Sequence, residues 1–389
     1  MDMIPYGRQD LSEEDIQAVV EILRADYITQ GPAVPVFEES VAGYCGALHS
    51  VATNSATSAL HLSCLALDVG PGDIVWTSPI TFVASANCAL YCGASVDFVD
   101  IDPLSCNMSA ERLEEKLRSA ARNGKLPKVV IPVHLAGQSC DMAKIHELGQ
   151  EYGFRIIEDA SHAIGGKYRN EPVGNCRHSD ITIFSFHPVK IVTTGEGGMA
   201  LTNDPGLARG LRLRRSHGIT SDREEMRPRP CDEIWNYQQI DLGFNYRMTD
   251  IAAALGTSQM KRLDEFVARR NEIAGFYEES LRDLPIVTQW LHPDCHSSRH
   301  LYLIRPKLQE IGKTHREIYQ ALHAEGILVN LHYIPVYLQP YFEKMGFSRG
   351  YCPEAERYYG EVLSIPMYYG LTRAQQEQVV SALQKVVGR

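Results

Sequence analysis

Between Phe154 and Lys190 the chain reads FRIIEDASHAIGGKYRNEPVGNCRHSDITIFSFHPVK, and the fold follows from how this stretch divides. Two β-rich runs, FRIIED (Phe154 to Asp159) and DITIFSF (Asp180 to Phe186), have the largely apolar character of strands buried on both faces. The first ends on a carboxylate, Asp159. The second delivers Ser185 and continues to Lys190, just ahead of a glycine-bearing turn, TTGEGG. In open parallel sheets ligands bind beyond the carboxyl ends of strands, so these polar residues are the first candidates for chemistry.

Upstream, the same kind of run recurs as DIVWTS (Asp73 to Ser78), ASVDFVD (Ala94 to Asp100) and KVVIPVH (Lys128 to His134). Helical stretches such as SAERLEEKLRSAAR and MAKIHELGQEYG separate the runs, and this alternation predicts an α/β fold with a parallel sheet between helices. Nearer the amino terminus, Ile16, Val19, Val20 and Leu23 recur at three- and four-residue steps, which predicts an amphipathic helix from a Ser12 cap to Ala25. Beyond about residue 205 the pattern changes. SDREEMRPRPCDE (Ser221 to Glu233) reads as an exposed loop, and MTDIAAALGTSQMKRLDEFVARRNEIAGFYEESL as one long linking helix. PIVTQW, HLYLIRP, GILVNLHYIP and the helices after them read as a compact α+β unit. The expected division is a large α/β unit with an N-terminal helix, 1–250, then a linker helix and small C-terminal unit, 251–389.

The length of 389 residues supports two or three packed units. A formal net charge of −10 repels a polyanion, so nucleic acid is not an expected partner, and any phosphate must be held locally. No apolar run approaches the ~20 residues of a bilayer span, and MDMIPYGRQDLSEED carries acids where a targeting peptide would carry bases. A cytoplasmic protein is the expectation. The ten cysteines are scattered and read as reduced, packed thiols; Cys88 and Cys92 lack His partners at a metal-site spacing, so no metal is expected.

Lys190, between a buried strand and a turn, can be partly desolvated, and a lysine with a lowered pKa can form a Schiff base. A lone lysine is more often an ordinary surface residue; Asp159, thirty positions upstream, changes that, because a carboxylate can hold a pyridinium nitrogen protonated. TNSATSAL (Thr53 to Leu60) offers hydroxyls and free N–H groups at a helix start, a seat for phosphate, although a plain capping turn explains it equally well. Phe82 in SPITFVASAN could stack on a flat heteroaromatic ring, but taken alone it reads as core packing.

The order NSATSAL, PITFVASAN, EDASHAIGG, SFHPVKIVTTGEGG, GFNYRMTDIAAALG resembles the DegT-type sugar aminotransferases, over nearly the whole chain from YITQGP to GILVNLHYIPVY. The resemblance implies the aspartate-aminotransferase-like architecture of fold type I. That is a large domain with a mostly parallel seven-stranded sheet between helices, plus a smaller α+β C-terminal domain. It implies pyridoxal 5'-phosphate carried on Lys190, Asp159 at the ring nitrogen, His162 near the phenolic oxygen and Phe82 over the ring face. Ala56, Thr57 and Ser185 would hold the phosphate, with Asn245 reaching in from a second subunit of a homodimer that shares its active sites. Many relatives carry Gln at the His162 position, so that hydrogen bond can differ here. Tyr6, His217, Arg247, His332 and Tyr333 fall in or beside matched motifs and are the expected contacts for sugar nucleotide and donor.

Within the family, SFHPVK with TTGEGG, YITQGP and LHYIPVY most resemble the enzymes that aminate C4 of UDP-2-acetamido-2,6-dideoxy-β-L-arabino-hex-4-ulose in pseudaminic acid biosynthesis, with L-glutamate giving 2-oxoglutarate. The alternatives are an aminotransferase for another 4-keto or 3-keto nucleotide sugar, or a non-catalytic regulatory protein on the same scaffold. A dehydratase of this fold carries histidine in place of the lysine, and Lys190 argues against it.

Overall fold

The computed structural model describes residues 3–228 and 235–388. Seven strands form one sheet: β1 (His49–Thr53), β2 (Ile74–Thr77), β3 (Ser95–Phe98), β4 (Val129–Ile131), β5 (Arg155–Asp159), β6 (Ile181–Ser185) and β7 (Gly198–Thr202). Their spatial order is β1-β7-β6-β5-β4-β2-β3. Strands β2 to β6 pair in parallel, and β7 runs antiparallel to both its neighbours. The five β-rich runs of the sequence are five of these strands. The other two, HSVAT and GMALT, begin on polar residues or glycine and gave no comparable signal.

Alternation along each strand divides the core. Val75, Ile131, Ile157, Ile183 and Ala200 join one buried cluster, while their neighbours Trp76, Val130, Ile156, Phe184 and Met199 join clusters on the opposite face. That period of two is the pleat of a strand, and helices on both sides complete the burial. A separate cluster gathers Ile4 with Tyr277, Ile304, Leu322, Ile327 and Ile365 around a three-stranded antiparallel sheet, Ile286–Thr288, Tyr302–Pro306 and Leu363–Ile365. Not all of the last third belongs to that cluster. Val336, Tyr337, Phe342 and Tyr358 pack into the core of the large sheet, and this return of the chain brings the preceding His332 and Tyr333 to the sheet's edge.

One helical expectation holds and a second is corrected. The helix α1 (Glu13–Arg24) forms with Ser12 in a capping box, but its apolar stripe is not buried within the chain: Ile16 is 49% and Leu23 57% exposed. The residue it buries is Asp15, which accepts from Gln259 Nε2 at 2.6 Å and Arg262 Nη2 at 2.9 Å. Asp15 thus ties α1 to the chain through Gln259 and Arg262. The supposed long linking helix is two helices, Asp250–Met260 and Leu263–Ser280. Lys261 and Arg262 donate to carbonyls three residues back and close the first helix. Arg262, at the break, also reaches Asp10 at 2.9 Å. Of the expected loop Ser221 to Glu233, residues 221–228 are exposed or half-buried, and the rest lies outside the described residues.

Nine described cysteines are free thiols, most of them buried, and Cys231 lies outside the described residues. No helix among the described residues is long and apolar enough to cross a membrane. Among those residues no group of three His, Cys, Asp or Glu side chains is placed to hold a metal ion.

Candidate active site

A cavity of about 770 Å³ opens at the carboxyl ends of the central strands. The turns that line it follow β1, β2, β5 and β6, and the last third contributes His300, His332 and Tyr333 from the other side. Of the residues expected from sequence, Lys190, Asp159, His162, Phe82, Ala56, Thr57, Ser185, Tyr6, His332 and Tyr333 all line it.

One end is an anion seat. After α2 (Ala33–Cys45), the helix α3 (Ala56–Ala66) starts at Ser55, whose hydroxyl accepts from Ser58 N–H at 3.1 Å, and Ser58 donates to Asn54 Oδ1 at 2.6 Å. Capping therefore occupies Ser55, Ser58 and Asn54, and leaves the first-turn amides of Ala56 and Thr57 without intrahelical acceptors. Register explains why Ser185 joins them: Gly198 pairs with Ser185 on one side and Thr53 on the other. The antiparallel β7 thus sets its first residue between the carboxyl ends of β1 and β6. Only glycine fits there, because a Cβ on Gly198 would lie 2.4 Å from Ala56 N and Ser55 C, both backbone atoms.

Asp159 is buried. Its Oδ2 accepts from Ser85 Oγ at 2.6 Å and its Oδ1 from Ser161 N–H at 3.1 Å. Thr81 and Ser85 hydroxyls lie 2.7 Å apart. A carboxylate only accepts, so Ser85 gives its proton to Asp159 and Thr81 gives its own to Ser85. The carboxylate is held by a chain of two buried hydroxyls that the sequence reading missed. The signal was within reach, since Ser85 stands one helical turn after Phe82. Phe82 itself is 60% exposed, which excludes the core-packing explanation and leaves its ring at the cavity wall.

Lys190 faces the cavity, where desolvation lowers its pKa to about 8 against the opposing pull of Asp159. His162 is fixed in one tautomer. Its Nδ1 accepts from Ala136 N–H at 3.3 Å, so Nε2 carries the proton, and Nε2 lies 3.2 Å from the Tyr333 hydroxyl. Tyr333 Oη is then the acceptor, and its own proton points elsewhere. Burial pushes Tyr333 up, with Asp159 adding to the effect, so the phenol stays protonated. Burial also holds His162 neutral, and it lowers His332 to about 3, helped in each case by the Lys190 charge. His332 Nδ1 meets Ser364 Oγ at 2.8 Å, and its ring packs on Tyr6 with centroids 5.2 Å apart.

Three expected residues are not brought to the cavity by their own chain. Asn245 and His217 are exposed, Arg247 is half-buried, and none lines the cavity. They lie beside it: Asn245 bridges Ser216, and its carbonyl is 3.5 Å from Asn54 Nδ2. His300, read only as part of a strand-like run, does line the cavity.

A model of the DegT/DnrJ/EryC1/StrS aminotransferase family matches residues 9–384. The chain is 36% identical over 387 residues to the spore coat polysaccharide biosynthesis protein SpsC of Bacillus subtilis, covering 99% of this chain and 97% of that protein. It is 38% identical over 367 residues to a UDP-4-amino-4,6-dideoxy-N-acetyl-beta-L-altrosamine transaminase of Campylobacter jejuni, covering 94% of this chain and 93% of that one. Among solved structures, Helicobacter pylori PseC, an aminotransferase involved in the biosynthesis of pseudoaminic acid, superposes with a TM-score of 0.89 at 30% identity, covering 99% of each chain.

Proposed function

The chain belongs to the DegT/DnrJ/EryC1/StrS family of pyridoxal-phosphate-dependent sugar aminotransferases of fold type I, and from that premise we propose that it moves an amino group from L-glutamate to C4 of UDP-2-acetamido-2,6-dideoxy-β-L-arabino-hex-4-ulose, a step of pseudaminic acid biosynthesis. The observation that carries the reading is the convergence in one cavity of Lys190, Asp159 and the α3 amides. These three features fit the aldehyde, ring nitrogen and phosphate of pyridoxal 5'-phosphate. What supports this particular sugar is the likeness, over nearly the full chain, to the altrosamine transaminase and to PseC.

When bound, the cofactor supplies an electron sink for the carbanion. The protein's own residues do the rest. Lys190 Nζ carries the cofactor and shuttles the proton at the reacting carbon. Asp159, polarised by Ser85, holds the ring nitrogen. Ala56 and Thr57 amides with the Ser185 hydroxyl would bind phosphate, Phe82 would cover the ring, and His162 would sit near the phenolic oxygen. Tyr6, His332 and Tyr333 are sugar or donor contacts. The reading includes a cytoplasmic homodimer in which the exposed Asn245 of one subunit serves the partner's cavity, with the exposed His217 and the half-buried Arg247 as further sugar-nucleotide or donor contacts. It divides the chain into a cofactor-binding unit, 1–250, and a linker and small unit, 251–389.

The lowered pKa gives a signed pH dependence. An ordinary lysine near 10.5 is about 0.1% free amine at pH 7.5, whereas a group titrating at about 8 is roughly a quarter free. Capture of pyridoxal phosphate by the cofactor-free protein is expected to quicken about tenfold per pH unit below 8 and to level off above about 9. Stopped-flow absorbance measures it; a rate still climbing through pH 10 means Lys190 is not the capturing amine.

The substrate is tested by incubating holoprotein and glutamate with UDP- and dTDP-linked 4-keto and 3-keto sugars, with mass spectrometry of the products. Amination of the UDP-linked β-L-arabino 4-ketose above the others is expected. The likeness to SpsC favours a second reading, a different nucleotide-linked keto-sugar, which success with a dTDP sugar alone would establish.

A further inference from the structure

One buried imidazole of the cavity has no role in the scheme above. His300 is 3% exposed, and its ring packs on His162 with centroids 4.4 Å apart. The other two buried imidazoles of the cavity wall are engaged, His162 by Ala136 and Tyr333, His332 by Ser364. His300 Nδ1 is sealed off without any hydrogen-bond partner. Its backbone, in contrast, is fixed: Arg270 Nη1 donates to the carbonyls of Arg299, His300 and Met367 at 3.3, 3.2 and 3.0 Å.

The tautomer follows. A sealed N–H without an acceptor is rarer than an unused lone pair, so Nδ1 holds the lone pair and Nε2 the proton. That leaves Nε2–H for whatever enters the cavity. Burial keeps the ring neutral, and the facing groups His162, Lys190, Arg270 and His332 oppose a charge there as well. The ligand it suits is set by what else is present. Among the described residues of the chain itself, Lys190 is the only Lys or Arg lining the cavity.

We propose that His300 is a ligand-binding residue at the reacting end of the cavity, its neutral Nε2–H donated to an anionic oxygen held beside Lys190. The oxygen belongs either to the cofactor's ring hydroxyl or to the carboxylate of the amino donor. The inference rests on the aminotransferase reading and is independent of which sugar is aminated.

Two variants, His300→Phe and His300→Gln, are loaded with pyridoxal phosphate, and two readings are taken: the pH titration of the visible cofactor band without substrate, and the glutamate dependence of its bleaching. If the oxygen is the cofactor's, loss of the donor in His300→Phe raises the band's titration midpoint by about a unit, because the ring oxygen then favours the protonated linkage. If it is the donor's, the midpoint holds and half-saturation by glutamate rises about tenfold or more. His300→Gln, which keeps an N–H, moves in the same direction by less. Wild-type behaviour of His300→Phe in both readings, or equal loss in both variants, makes His300 a packing residue and overturns the inference. Should His300→Phe fail to fold, His300→Ala with added imidazole replaces it, and rescue of the shifted reading by imidazole is required. If the wild-type protein aminates no keto-sugar, the substrate reading falls and these outcomes keep their meaning.

Discussion

Replacing Lys190 by Ala is expected to abolish the visible band of the bound cofactor and to cut turnover with glutamate at least about 10³-fold, the scale set by losing a covalent anchor and a proton carrier together. Among the described residues no other lysine lines the cavity, so no neighbouring amine of the chain substitutes. Arg at this position restores the charge but not the chemistry, because its guanidinium stays protonated and cannot serve as a free amine. Lys190→Arg should therefore be as inactive as Lys190→Ala while keeping the wild-type melting temperature within a few degrees. Single-turnover absorbance with glutamate reads the effect directly, and a Lys190→Ala protein that still turns over at the native rate would end the reading.

The second large effect is expected at Asp159. Asp159→Asn keeps the shape and leaves Ser85 and Ser161 in place, but it removes the buried charge assigned to hold the ring nitrogen protonated, and turnover should fall about 10²- to 10³-fold. A second signature separates this from general damage. Asp159 opposes the desolvation that lowers Lys190, so its loss should carry Lys190 further below about 8, and the pH profile of cofactor capture should move to lower pH. Slower turnover with an unmoved or raised profile would assign Asp159 a structural role instead.

Both effects concern residues that the sequence places at strand ends, and there the sequence is informative for a physical reason. A strand buried on two faces must be apolar along its length, so the carboxylates that end FRIIED or a lysine just past DITIFSF stand out against their surroundings. The same contrast identifies TNSATSAL at the start of α3. It does not identify Ser85, a small polar residue within an alanine-rich helix start, or His300, which sits in a run of strand-like residues and is unusual only because its buried Nδ1 finds no partner in the folded chain.

Local patterning therefore determined the alternation of strands and helices, the parallel sheet, the Ser12 cap and the strand-end positions of Asp159 and Lys190, since each depends on residues within one or two turns of one another. Tertiary structure decided what depends on residues far apart. The antiparallel entry of β7 makes Gly198 the hinge of the anion seat, and the break at Lys261 and Arg262 lets one arginine meet Asp10 and Asp15. The return of His300, His332 and Tyr333 over strands formed more than a hundred residues earlier completes the cavity. Periodicity records how a segment is buried, but not which distant segment buries it, and so the exposed stripe of α1 and the tautomers of the buried histidines were settled only by packing.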